Sequence, residues 1–359
     1  MRKRFSRTQL TVAAVLVLLI VAAVGYKLLS GGKAKSTPAE SEVPHIAILR
    51  SGPGLALDDA IKGIAVGFEG HPADFTIEDA GNDPAKARAL AQALLAEKPD
   101  VLITLGYQAA QVAADVNTGR PLVVAGLSNP FALGLASSDE DHRADLTGVY
   151  SSEPVEDSLS LMRQLYPAMT KIATVYNPAD AESMAYLARA RQAASVQQLA
   201  LQEVAMPDLP ILDSTGKPLE GDKQDQAIIR KVMEAIPVDA QLIYLSRDWR
   251  VLGELEGLAK EAALRNIPVV TNDPATITQG CLAALGDEYN SAGREAARQA
   301  LSILAGTPTA DIPLLAQNSV ILALNRDVAQ KLGYVFPAAI ESRATHIVPA
   351  QSGTVPANP

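Results

Sequence analysis

The hydrophobic positions of this chain fall into short, unbroken apolar runs that end at small or polar corners and lead into helix-compatible stretches. VLITLGYQAAQVAAD (Val101 to Asp115), LVVAGLSNP (Leu122 to Pro130), IATVYNPADAESM (Ile172 to Met184), LIYLSRDW (Leu242 to Trp249) and IPVVTNDP (Ile267 to Pro274) repeat this plan. Continuous Val/Ile/Leu/Ala strands mark a parallel sheet covered by helices on both faces, and such sheets bind ligands at the carboxyl ends of their strands. Function is therefore expected at the polar corners.

The pattern predicts strands at 45–49, 75–80, 101–105 and 122–126, with helices at 57–68, 85–97 and 107–116. Pro84 suits the first turn of the second helix, whose Ala87, Leu90, Ala91, Leu94 and Leu95 form one apolar face. A second series has a helix at 155–166, a strand at 171–176, a helix at 179–195 and a strand at 201–205; a helix at 226–236, a strand at 241–246, a helix at 250–265 and a strand at 268–271 follow. Residues 207–225, rich in turn formers and charge, interrupt it as a surface loop or hairpin. Alternation at this spacing implies right-handed crossovers, parallel sheets and two α/β lobes.

The first 42 residues are a different material. Arg2, Lys3, Arg4 and Arg7 precede an uncharged apolar run from Leu10 to Tyr26, then Lys27 and a polar, glycine-rich linker. The run sits at the short limit of about 17 residues for a spanning helix, and Leu28 and Leu29 extend it if Lys27 snorkels. It reads as an uncleaved membrane anchor or as a signal peptide cleaved near Ala23-Val24-Gly25. Either reading exports the remainder, giving a periplasmic or extracytoplasmic protein, held at the inner membrane if the helix is kept.

Charge and cysteine usage narrow the function classes. The first 42 residues hold seven Lys/Arg and two Glu of the chain's 31 and 40, leaving 24 basic against 38 acidic residues, a net charge of −14. That balance repels a phosphate backbone, so no nucleic-acid partner is expected. Cys281 is the only cysteine, which rules out an internal disulfide and a lipid anchor on a cysteine after the apolar run; it reads as a small buried side chain. His45, His71, His142 and His346 lack metal-ligand spacing, and the chain has no nucleophile elbow, P-loop or dinucleotide fingerprint. No catalytic residues, metal or cofactor are expected, and the chain reads as a non-enzyme.

The phrases GYQAAQ, GLSNPFALGLASS, LTGVYSSEPVED, YNPADAES, VDAQLIYLSRD, IPVVTNDPATITQGCLAALGDEYNSAGREAARQALSILAG and ALNRDVAQKLGYVFP occur in this order between His45 and Ile347. Together they resemble the ABC-transporter substrate-binding family that includes the bacterial tryptophan-binding proteins. The resemblance implies a type I periplasmic-binding fold: two doubly wound parallel-sheet lobes joined by three crossing segments, here preceded by the N-terminal hydrophobic helix. Carried over, the family's chain path places the crossings near Thr147 to Pro154, Gly280 to Gly286 and Asp311 to Leu324. Lobe one would combine 43–150 with 281–312, lobe two 151–280 with 313–350, and 351–359 would be a flexible tail. The implied function is capture of a small molecule, an amino acid or similar zwitterion, in an interlobe cleft by hinge closure. Permease and ATPase subunits would be the partners. A membrane-tethered sensory or docking protein is the alternative.

Candidate ligand-binding residues follow from the corners. Tyr107 and Gln108 open the helix after strand 101–105, where free N–H groups and the helix dipole can hold a carboxylate. The family usually has Thr-Pro here. Ser128 and Asn129, where Thr-Asp-Pro is common, offer neutral hydrogen-bonding groups or a simple turn. Asp180 and Ser183 match the family's Ser-Glu-x-Asn-Ser element, with Glu182 in place of its Asn; they can bind an ammonium or serve as first-turn residues. Asp248 and Asp273 end two strands and are candidates for an amine-binding acid, with Trp249 as an apolar or cation–π wall. Arg247 is the competing partner for Asp248.

Overall fold

The computed structural model describes residues 43–151, 154–317 and 319–348. The strands, in chain order, are β1 (His45–Arg50), β2 (Asp74–Asp79), β3 (Val101–Leu105), β4 (Leu122–Leu127), β5 (Leu146–Ser151), β6 (Lys171–Tyr176), β7 (Ala200–Ala205), β8 (Ile243–Leu245), β9 (Val269–Thr271), β10 (Ala283–Asp287), β11 (Leu315–Gln317), β12 (Val320–Asn325) and β13 (His346–Val348). The expected N-terminal helix and the tail at 351–359 lie outside the described residues. Among the described residues no helix is long and apolar enough to cross a membrane.

The described residues divide into two compact units, one of 43–150 with Tyr289–Leu315, the other of Ser151–Glu288 with 316–348. The first unit holds a six-stranded sheet of order β11-β5-β4-β3-β1-β2, parallel from β2 through β5. Every residue of β3 is buried, which explains its unbroken apolar run. Asp83 starts the helix Pro84–Ala96 by accepting from the N–H groups of Ala85 and Lys86, with Pro84 in the first turn. The helices Leu55–Gly67 and Tyr289–Leu304 pack at backbone contact. A Cβ on Gly63 would lie 2.0 Å from the Asn290 carbonyl oxygen, and one on Gly293 2.0 Å from that of Ala60.

The second unit holds seven strands in the order β13-β12-β10-β9-β8-β6-β7. All described pairings are parallel except the antiparallel β10 with β12. Alternate strand residues feed two cores. Ala173, Val175, Ile243 and Leu245 join Ile228, Val232, Leu255 and Leu258, from the helices Asp222–Ala235 and Leu255–Leu264. Ile172, Leu242 and Tyr244 join Leu159, Met162, Tyr186 and Ala190, from the helices Val155–Leu165 and Ala181–Val196. Period-2 alternation thus covers both faces, the doubly wound arrangement.

Four expectations need correction. Residues 281–288 belong to the second unit, because β10 is hydrogen-bonded between β9 and β12. Residues 313–315 belong to the first unit, where Leu314 is buried in the core and the Thr147 hydroxyl donates to the Pro313 carbonyl at 3.2 Å. The helix expected at 250–265 is two helices, Trp249–Gly253 and Leu255–Leu264, with Glu254 between them at φ −101° and ψ 3°. Within 207–225, an antiparallel bridge joins Leu212 to Pro218, and the next helix starts at Asp222, ahead of the expected 226.

Candidate functional site

In an open α/β sheet the chain reverses direction along the sheet at one pair of strands, and their carboxyl ends diverge to leave a crevice. The strand orders place that point between β1 and β3 in the first unit and between β6 and β8 in the second.

In the first unit Ser51 follows β1, and Gly106, Tyr107 and Gln108 follow β3. The Ala109 N–H, in the first turn of the helix Tyr107–Val116, donates to Ser51 Oγ at 3.0 Å. Gly106 permits this contact: its φ is 90°, and a Cβ there would lie 2.7 Å from Ser51 Oγ. Gln108 Oε1 is enclosed and has no hydrogen-bond partner among the described residues. One strand further out, Asn129 Oδ1 accepts from the Ala132 N–H at 2.9 Å, a turn-forming bond, and Ser128 sits beside it. Phe131 packs edge-on against Tyr150, with centroids 5.4 Å apart. The Tyr150 hydroxyl donates to Asp139 at 2.9 Å, and burial followed by that carboxylate pushes its pKa up to about 12. Arg50, buried at the end of β1, is engaged by Asp58 and Asp79.

The second unit brings Asn177, after β6, against Asp248, after β8. Asp248 caps the short helix Trp249–Gly253: its Oδ1 accepts from the Arg250 and Val251 N–H groups at 2.9 and 3.1 Å. Its Oδ2 accepts from Asn177 Nδ2 at 3.3 Å. Burial raises the Asp248 pKa above the usual carboxylate value, and the charge of Asp180 adds to the rise; the donated hydrogen bonds oppose it. Asp180 caps the helix Ala181–Val196 by accepting from the Ser183 N–H at 2.8 Å. The Ser183 hydroxyl, buried, accepts from the Asn177 N–H at 2.9 Å, so these two residues build the corner that carries Asn177.

Arg247 Nη1 lies 3.4 Å from Asp287 Oδ2, which also accepts from the Ser151 hydroxyl. Burial raises the Asp287 pKa, while Arg247 and Ser151 oppose that rise. Asp273 is buried and caps the turn Pro274–Gln279 through the Ala275 N–H at 3.1 Å. Trp249 is about half exposed, at 48%. Cys281 is buried, which pushes its thiol up to about 12 and leaves it protonated at neutral pH. Among the described residues no three His, Cys, Asp or Glu side chains converge as a metal site.

Of the residues nominated by the polar corners, Asp248, Trp249, Asp180 and Ser183 stand at the β6/β8 switch point, Tyr107 and Gln108 at the β1/β3 switch point, and Ser128, Asn129 and Asp273 one strand outward. Sequence reasoning missed Ser51, Asn177, Arg250 and Asp287. Asn177 had a readable signal: it is the first polar residue after the apolar run of β6 and precedes Pro178.

Over 334 residues the chain is 21% identical to the tyrosine-binding protein of Clostridioides difficile strain R20291, spanning 89% of this chain and 92% of that protein. A conserved domain protein from Vibrio cholerae O1 biovar El Tor shares the fold at a TM-score of 0.75 with 23% identity, covering 86% of this chain and 100% of that one. An ABC domain in complex with L-Trp from Streptococcus pneumonia does so at a TM-score of 0.75 with 19% identity, covering 86% and 100%. These structures support a type I periplasmic-binding fold. The family pattern described as ABC transporter substrate binding protein matches residues 45–348, and the chain belongs to that family.

Proposed function

We propose that this extracytoplasmic substrate-binding protein captures an amino acid, holds its ammonium at the Asp248 corner and delivers it to a membrane permease driven by an ATPase. The carrying observation is the state of Asp248. Its Oδ1 is occupied by two backbone N–H groups, whereas Oδ2 accepts from Asn177 alone among the described residues and retains a lone pair for a further donor. A buried carboxylate beside a second acid gains most from a cationic partner, because both burial and Asp180 penalise its charge. Asp273 adds negative charge one strand away. In the first unit, the helix start at Tyr107 and Gln108 supplies N–H groups and dipole for a carboxylate, with Ser128 and Asn129 as neutral neighbours.

Aromatic amino acids are the ligand class to test first. A relative is named for tyrosine and a structure of the same fold carries L-Trp. Tyr107, Phe131 and Trp249 offer ring surfaces at the same corners, and Phe131 and Trp249 are exposed. Calorimetric titration with each of the twenty amino acids tests the reading: saturable binding of tyrosine or tryptophan is expected, and absence of heat with every amino acid would sink it. Attachment to the membrane through Leu10 to Tyr26 rests on the sequence alone. Recovery of the full-length protein in the membrane fraction, resistant to salt and released by detergent, is its test.

A further inference from the structure

Arg250 lies one residue beyond Trp249, and its guanidinium joins two elements distant in sequence. Nη1 donates to Asn177 Oδ1 at 3.2 Å, and Nη2 donates to the Pro207 carbonyl oxygen at 2.8 Å. Asn177 Oδ1 also accepts from the Ala179 N–H at 3.2 Å. With two donors on that oxygen, the amide has one favourable orientation, which turns Nδ2 toward Asp248 Oδ2. The flipped amide would set Nδ2 against the guanidinium and Oδ1 against the carboxylate, donor on donor and acceptor on acceptor. The Arg250 backbone N–H closes the ring by donating to Asp248 Oδ1.

We propose that Arg250 is a positioning residue for the ligand's ammonium: by fixing the Asn177 amide it aims Asp248 Oδ2, without itself contacting the ligand. This rests on Asp248 being the ammonium acceptor. The planar fork suits the task, since one guanidinium reaches both Asn177 and Pro207, whereas an ammonium is a point charge without fixed donor directions. The arrangement also assigns the Asn177 carbonyl to structure and its amide group to the site.

The test uses Arg250→Met and Arg250→Lys in the full chain. Calorimetry would compare L-tyrosine and L-tryptophan with their deaminated analogues, 3-(4-hydroxyphenyl)propionate and indole-3-propionate. Carboxyl-carbon NMR would follow the titration of Asp248 in the ligand-free protein. Arg250→Met is expected to weaken the amino acids by about tenfold, the scale of one hydrogen bond to a charged group, and to leave the analogues unchanged. It is also expected to move the Asp248 titration upward, because the Asn177 donor is no longer held on the carboxylate. Equal weakening of amino acids and analogues, or an unmoved titration, overturns the proposal. Complete restoration of the titration by Arg250→Lys also overturns it, since charge alone would then suffice. If the wild-type protein binds none of the four probes, the reading of the ligand class fails, and the Asp248 titration still decides whether Arg250 positions the carboxylate.

Discussion

Arg247 is paired with Asp287, its Nη1 3.4 Å from Oδ2, although Arg247 follows β8 and Asp287 is the last residue of β10, two strands separated by β9. The guanidinium next to Asp248 in sequence therefore has a carboxylate partner elsewhere in the unit. Asp248 is held by two backbone N–H groups and the Asn177 amide.

Both members of that pair are nearly buried, so removing one leaves the other charge poorly compensated. Arg247→Met is expected to destabilise the protein by about 3 kcal/mol, and the double variant Arg247→Met with Asp287→Asn to recover part of the loss. Urea unfolding of the two single variants and the double variant measures the coupling. Additive losses would show that the pair contributes no interaction.

Asp248→Asn is expected to stabilise the ligand-free protein at pH 7 while weakening amino-acid binding. Burial raises the Asp248 pKa above the ordinary carboxylate value, so the folded state holds the proton more tightly than the unfolded one. Its contribution to stability is full below the unfolded value and is lost as pH rises through the folded one. The Tm advantage of the variant should therefore be largest at neutral pH and shrink as the pH is lowered toward 4. A constant difference across that range would contradict the assignment.

Gly63→Ala and Gly293→Ala are each expected to cost about 1–3 kcal/mol, since the added methyl meets backbone on the facing helix. Gly253→Ala, where a Cβ meets nothing within 4 Å, should instead be neutral or stabilising by up to about 1 kcal/mol. Thermal unfolding of the three variants compares the sites directly.

Ser51→Ala removes the acceptor of the Ala109 N–H and is expected to destabilise the protein by about 1 kcal/mol. Amide hydrogen exchange at Ala109 should accelerate more than exchange at the centre of the same helix. Unchanged protection there would show that another acceptor replaces the hydroxyl.

Trp249 is the only tryptophan and is 48% exposed beside Asp248. A bound amino acid should shift its emission to shorter wavelength or quench it, with the same midpoint as the calorimetric titration. Trp249→Ala should weaken an aromatic ligand more than an aliphatic one.

Much of the local architecture was legible in the chain. The run Val101 to Leu105, followed by Gly106, predicted β3 and a helix over 107–116, and both have those bounds. Continuous apolar residues, a glycine and helix-forming alanines all act over a few positions, so adjacent residues suffice to read them. Strand β10 was not legible as part of the second sheet. Its antiparallel partner β12 begins at Val320, and a short segment ending in Gly286 and Asp287 does not announce which lobe it will join.

The same division runs through the candidate site. Adjacent residues were enough to show that polar corners follow apolar strands, that Asp248 ends a strand and Asp180 opens a helix, and that the chain resembles a substrate-binding family. Which groups meet emerges from the folded chain: Asn177 with Asp248 and Arg250, Arg247 with Asp287, and Ser51 with Ala109. The reason is physical. Helix starts and strand patterns depend on neighbours along the chain, whereas ion pairing, desolvation and amide orientation depend on distances through space. Those distances are set by the order in which the strands enter the sheet.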